Sequence, residues 1–160
     1  MHVLQESPHH WVDARPFRMH TRRLLAETGL GIGELAAHAR VPVRVLARLL
    51  APGPRPLRKL CPVYARRLVL IDLDGLFIAL ATPVAADQAV LLARRLAAAG
   101  VPRQALLTAL GGDELTLGAL LAGARGTVLL RHELALCALA VGTEGVPVWS
   151  DDDFDEPLAA

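Results

Sequence analysis

Apolar residues recur along most of this chain at a spacing of three and four, with polar residues between them, the pattern of amphipathic helices. Leu35, Ala36, Ala39, Val41, Leu46 and Leu49 put small and aliphatic side chains where two short crossing helices would touch. Between and beside them Arg40, Arg44 and Arg48 recur every fourth residue, which predicts a basic stripe on one side of the second helix. The pattern predicts helices over 17–28, 32–39, 43–50 and 62–71 in the first part of the chain. Gly29 is a natural stop for the first, and Phe17, Leu24 and Leu25 face inward with Arg18, Arg22 and Arg23 more exposed. Pro52, Gly53, Pro54 and Pro56 forbid continuation of the third and force a rigid basic loop through Arg55, Arg58 and Lys59. Pro62 suits a first helical turn, and Asp72 to Gly75 is expected to end that helix.

After Thr82-Pro83 the pattern starts again. Arg94-Arg95-Leu96 repeats Arg22-Arg23-Leu24, and Leu106, Leu117, Leu120 and Leu121 lie 71 residues after Leu35, Leu46, Leu49 and Leu50. Further helices are expected over 85–99, 103–110, 114–121 and 128–141. The expected organisation is an arm over 1–13, a basic helical domain over 14–76, a second, degenerate helical repeat over 83–146 and an acidic tail over 147–160. Few aromatics among abundant Ala, Leu, Val and Arg favour an all-α fold, and 160 residues with 53% hydrophobic content can bury a core.

Charge separates the two copies. The chain as a whole carries +1, but residues 1–68 hold eleven Arg and one Lys against four acids, a net +8, and residues 69–160 balance at −7. A basic half is the electrostatic footprint of a nucleic-acid binder, whose phosphate contacts come from Arg and Lys. Where the first copy has Pro42-Val43-Arg44-Val45 the second has Asp113-Glu114-Leu115-Thr116, and carboxylates at a helix start repel phosphate. The second unit is therefore expected to make protein contacts, with Leu115, Leu117, Leu120 and Leu121 available for packing or pairing and Arg125 and Arg131 left for a supporting role in DNA backbone contact.

Leu35-Ala36, Ala39, Val41-Pro42, Leu46, Leu49 and Gly53 together resemble the helix-turn-helix of phage-repressor-like DNA-binding domains. The likeness extends over residues 14–76, and the arrangement also resembles small actinobacterial proteins in which a second helical unit follows the helix-turn-helix. Arg40 stands where that family usually has a turn glycine, and Gly31-Ile32-Gly33 where it usually has polar side chains that hold phosphate, leaving only backbone amides for that task. The resemblance implies a recognition helix in the major groove. Arg44 and Arg48 are then the base readers, since arginine can donate two hydrogen bonds to guanine. Val43 and Ala47 lie on the same helix for thymine methyls, and Arg40, Arg55, Arg58 and Lys59 flank it for phosphate. The expected function is a sequence-specific, duplex-DNA-binding transcriptional regulator, and such domains commonly act as dimers. From another class, the alternative is a protein-interaction adaptor or the antitoxin part of a toxin–antitoxin pair.

Other chemistry finds less support. Leu68-Val69-Leu70-Ile71-Asp72-Leu73-Asp74-Gly75 resembles the first motif of haloacid-dehalogenase-type phosphatases, but it follows helical residues and no lysine occurs downstream. An enzyme is not expected. Gly29-Leu30-Gly31-Ile32-Gly33 follows a helix and not a strand, against a dinucleotide loop. Cys61 and Cys137 read as buried small residues, and His9, His10, His20 and His38 lack metal-ligand spacing, so neither cofactor nor metal is expected. The N-terminus lacks the order of a signal peptide and Asp72 and Asp74 interrupt the longest apolar run, which predicts a cytoplasmic protein without a membrane span.

Overall fold

Local chemistry fixes the helix ends first. In the computed structural model, which describes residues 10–143, helix α1 (Arg15–Thr28) has a proline in its first turn and ends at Gly29, whose left-handed backbone (φ 70°) lets its N–H reach the Leu25 carbonyl. Helix α2 (Ile32–Ala39) opens with Glu34 accepting the Gly31 N–H, the one half of a capping box that a glycine N-cap permits, and closes at Arg40 with φ 53°. Helix α3 (Val43–Leu50) starts after Pro42 and stops before the proline-rich loop. Among these elements the expected boundaries of α2 and α3 coincide with the observed ones.

Short strands bracket the three helices. Strand β1 (Val12–Asp13) pairs antiparallel with β2 (Lys59–Leu60), with Val12 opposite Leu60 and Asp13 opposite Lys59, and helix α4 (Pro62–Val69) follows. Helix α5 (Leu73–Leu80) comes next. The same order then runs again as strand β3 (Pro83–Ala85), helices α6 (Asp87–Ala98), α7 (Arg103–Ala109) and α8 (Glu114–Ala122), strand β4 (Thr127–Leu129) and helix α9 (Leu130–Thr143). Corresponding hydrogen bonds recur too. The Ala14 N–H donates to Arg58 at 2.9 Å and the Ala86 N–H to Gly126 at 3.0 Å, while Val41 donates to Ala36 at 3.0 Å and Gly112 to Leu107 at 2.7 Å. The fold is all-α, with only two two-stranded ribbons among the described residues.

Helix α4 does end ahead of Asp72 to Gly75, but that segment also starts a further helix that was not expected. Asp72 caps α5, its carboxylate accepting the Gly75 N–H at 2.7 Å, so the aspartate of the phosphatase-like motif is an N-cap. Leu76 and Leu80 of this helix are buried.

One core gathers Leu24, Leu35, Leu46, Leu49, Leu60 and Leu68, and a second gathers Leu96, Leu106, Leu110, Leu117, Leu120 and Leu136. Helix α9 joins them. Its Leu136 lies in the second core while its Leu134 lies in the first, and it packs closely along α2. Of the four leucines expected to serve packing or pairing, Leu117 and Leu120 pack in the second core at 0% and 2% exposure, Leu121 is partly buried and Leu115 is exposed. No single helix among the described residues is long and apolar enough to cross a membrane. Most of the expected arm and all of the acidic tail lie outside the described residues.

Candidate nucleic-acid interface

The alternation along α3 divides its side chains cleanly. Val45, Leu46 and Leu49 enter the core, which turns Arg44 and Ala47 outward into solvent and leaves Val43 and Arg48 at the margin, partly buried. A buried triad at this spacing holds the helix by burying about 1.5–3 kcal/mol of apolar side chain per residue, so the arginines are carried on a fixed support.

Arg40 does not belong to the α3 stripe. It occupies the turn, where its backbone is left-handed, the only non-glycine residue with positive φ among those described. The equivalent turn between α7 and α8 has Gly111 at φ 67°. Arg40 is exposed, and its carbonyl accepts a hydrogen bond from Nη1 of Arg67, on α4. Arg67, which falls inside the helix expected over 62–71 and was not among the expected site residues, therefore stands beside the turn. Its place in the last turn of α4, where a positive charge offsets the helix dipole, was the available signal.

The far end of α3 is organised by Arg18. Its Nε donates to the Leu49 carbonyl at 2.8 Å and its Nη2 to the Leu57 carbonyl at 2.6 Å, tying the end of α3 and the proline-rich loop to α1. Arg18 is thus partly buried and structural, against the expectation of an exposed cation. The loop it holds presents Arg55 and Arg58, both exposed, and passes into β2, where Lys59 is exposed. Asp13 lies across the ribbon from Lys59, but Arg15 grips its carboxylate at 2.7 Å. That side-chain bond and the Arg15 N–H hold the Asp13 carboxyl below the usual aspartate range. Trp11, Leu57, Arg58 and Lys59 line a groove of about 460 Å³ beside this ribbon.

The start of α2 is not an open anion site. Glu34 occupies the Gly31 N–H at 2.7 Å, which both satisfies that amide and sets a carboxylate where a phosphate would sit. Gly33 has a separate reason. A Cβ there would stand 2.9 Å from the Ala138 Cβ of α9, so only glycine permits this helix contact.

The structure brings Val43, Arg44, Ala47 and Arg48 together on α3, Arg40 and Arg67 at its start, and Arg55, Arg58 and Lys59 beyond its end. No cluster of histidine, cysteine and carboxylates suited to a metal occurs among the described residues. No protein-family profile matches this chain, and no curated protein or solved structure matches it.

Proposed function

We propose that α2 and α3 form a helix-turn-helix that binds duplex DNA, with α3 entering the major groove, and that the chain acts as a transcriptional regulator. The observation that carries this reading is the outward side of α3, which combines Arg44 and Arg48 on a well-buried helix with further exposed cations at both of its ends. Arg44 and Arg48 are assigned to base edges, with Val43 and Ala47 beside them for thymine methyls. Arg40, Arg55, Arg58 and Lys59 are assigned to phosphate, which fixes register and supplies affinity without sequence information. Glu34 makes the start of α2 a poor phosphate ligand, so backbone contact falls on the turn and the loop.

Sequencing genomic fragments retained by the purified chain, followed by titration of the enriched duplex at several salt concentrations, tests the proposal. Affinity should fall steeply with salt, with a slope that counts the phosphates neutralised. Arg44→Ala should relax preference at one base position by about 1–3 kcal/mol, whereas Lys59→Ala should weaken all sequences alike. Absence of binding to any duplex at low salt defeats the reading. The alternative, a protein-interaction adaptor, draws on the exposed Val69, Leu70, Phe77 and Ile78 at the end of α4 and on α5.

A further inference from the structure

The side of α8 that corresponds to the cationic side of α3 is apolar. Arg40 and Gly111 share a left-handed turn and are followed by the same backbone hydrogen bond, Val41 to Ala36 and Gly112 to Leu107. In that register Arg44 corresponds to Leu115, Ala47 to Gly118 and Arg48 to Ala119. Ala122 continues the row one turn further, and all four residues are exposed. Leu115 is 87% exposed, the highest value for any large hydrophobic side chain among the described residues. Leu117 and Leu120 anchor α8 from the opposite side, so this face is presented outward on a fixed helix.

The ends of the face carry opposite charge. Asp113 and Glu114 open the helix, both exposed, and although Glu114 is paired with Arg103 of α7, the two carboxylates outnumber that one cation and leave the start net acidic. At its other end Arg94 comes within 3.5 Å of where a Gly123 Cβ would be, and Arg125 follows, exposed. A two-fold axis across α8 would set the acidic start of each helix against the basic end of the other over about 13 Å, the length of nine residues. A parallel arrangement would set like charges together. The complement to this face is thus contained in the chain itself, which selects a second copy as its occupant. Leu91, 66% exposed and one turn before Arg94 on α6, enlarges the apolar area on that flank.

We propose that two copies of this chain associate through α8, packed antiparallel, with Leu115 of each set over the small residues Gly118, Ala119 and Ala122 of the other and Asp113 and Glu114 facing Arg94 and Arg125. The proposal does not depend on DNA binding and is tested without DNA. Sedimentation equilibrium of the full chain should show a dimer, and Leu115→Asp should raise its dissociation constant by about thirtyfold or more while circular dichroism stays unchanged. If Leu115→Asp perturbs the helices, Ala119→Glu on the same exposed face carries the same expectation. Glu114→Arg, which also removes the partner of Arg103, and Arg125→Glu should each weaken the dimer, and the two together should recover part of the loss. A monomer at about 100 μM overturns the proposal. So does a dimer unmoved by substitutions at Leu115 and Ala119, which would place self-association elsewhere, as at Phe77 and Ile78; a double charge swap without recovery overturns the antiparallel pairing.

Discussion

Gly33 of α2 and Ala138 of α9 meet so closely that a methyl group on Gly33 would overlap the alanine side chain, 2.9 Å away. Helix α9, the last among the described residues, is thereby seated directly on the helix that supports α3. Alanine usually stabilises a helix interior by about 0.8–1 kcal/mol relative to glycine. Here the sign should reverse, because overpacking in a close contact typically costs about 1–3 kcal/mol. Urea unfolding of Gly33→Ala should show the loss, and adding Ala138→Gly should recover part of it. Additive effects in that double variant would mean the contact is loose in solution.

Arg40 holds a left-handed turn without glycine, and the matching turn holds Gly111. The conformation costs an L-residue roughly 1–2 kcal/mol, offset in part by the greater freedom that glycine gives the unfolded chain. Arg40→Gly should therefore raise stability by up to about 1 kcal/mol, and on the proposed function it should lower affinity for all duplexes together. Gly111→Ala should do the opposite to stability. Thermal melts of the two variants should move in opposite directions; movement in the same direction would contradict this account.

How much of this could be read from the chain depended on how far away the cause lay. The limits of α2 and α3 follow from Gly31, Pro42 and the apolar spacing between them, all local, and they were legible to the residue. Helix α5 was not, because Leu73–Leu80 is apolar nearly throughout and opens with Asp72-Leu73-Asp74-Gly75, which reads as a turn until Asp72 is seen to cap it. The ribbons β1–β2 and β3–β4 are two or three residues per strand and exist through pairing with remote segments, which leaves almost no periodic trace. The candidate interface was legible as charge, since Arg44, Arg55, Arg58 and Lys59 are exposed as expected. What Arg18, Arg67 and Gly33 do was hidden, because each answers to a backbone carbonyl or a side chain in another element.

Arg18 should behave unlike its neighbours on α1. It donates to two carbonyls, of Leu49 and Leu57, whereas Arg22 and Arg23 are exposed. Hydrogen bonds from a charged donor contribute about 1.5–3 kcal/mol, and losing them leaves the acceptors to find water or stay unpaired. Arg18→Met, which keeps most of the aliphatic stem, should destabilise the chain by about that amount, while Arg22→Ala and Arg23→Ala should stay within about 0.5 kcal/mol. Hydrogen exchange should rise locally in residues 49–58 of the Arg18 variant. Equal effects from all three arginines would show that the two carbonyls gain nothing from Arg18.

Stability should fall as pH drops through the ordinary histidine range. Burial holds His38 below the usual imidazole value, and burial with the adjacent Arg131 does the same to His132 against the pull of Asp113. Each group, with its folded pKa depressed, binds fewer protons folded than unfolded once pH nears about 6.5, so its contribution is complete above that point and lost below it. The Asp13 and Asp113 carboxyls, held low by hydrogen bonds, titrate well below this window. The Cys137 thiol, pushed up by burial and by Glu133, titrates above it. Glu133, itself raised by burial, acts in the opposite sense at lower pH, which confines the clean comparison to about pH 7.5 to 6. Melting temperature should decline across that interval for the native chain and decline less for His38→Gln combined with His132→Gln. A native profile that is flat or rises toward pH 6 would show that neither imidazole is held neutral by the fold.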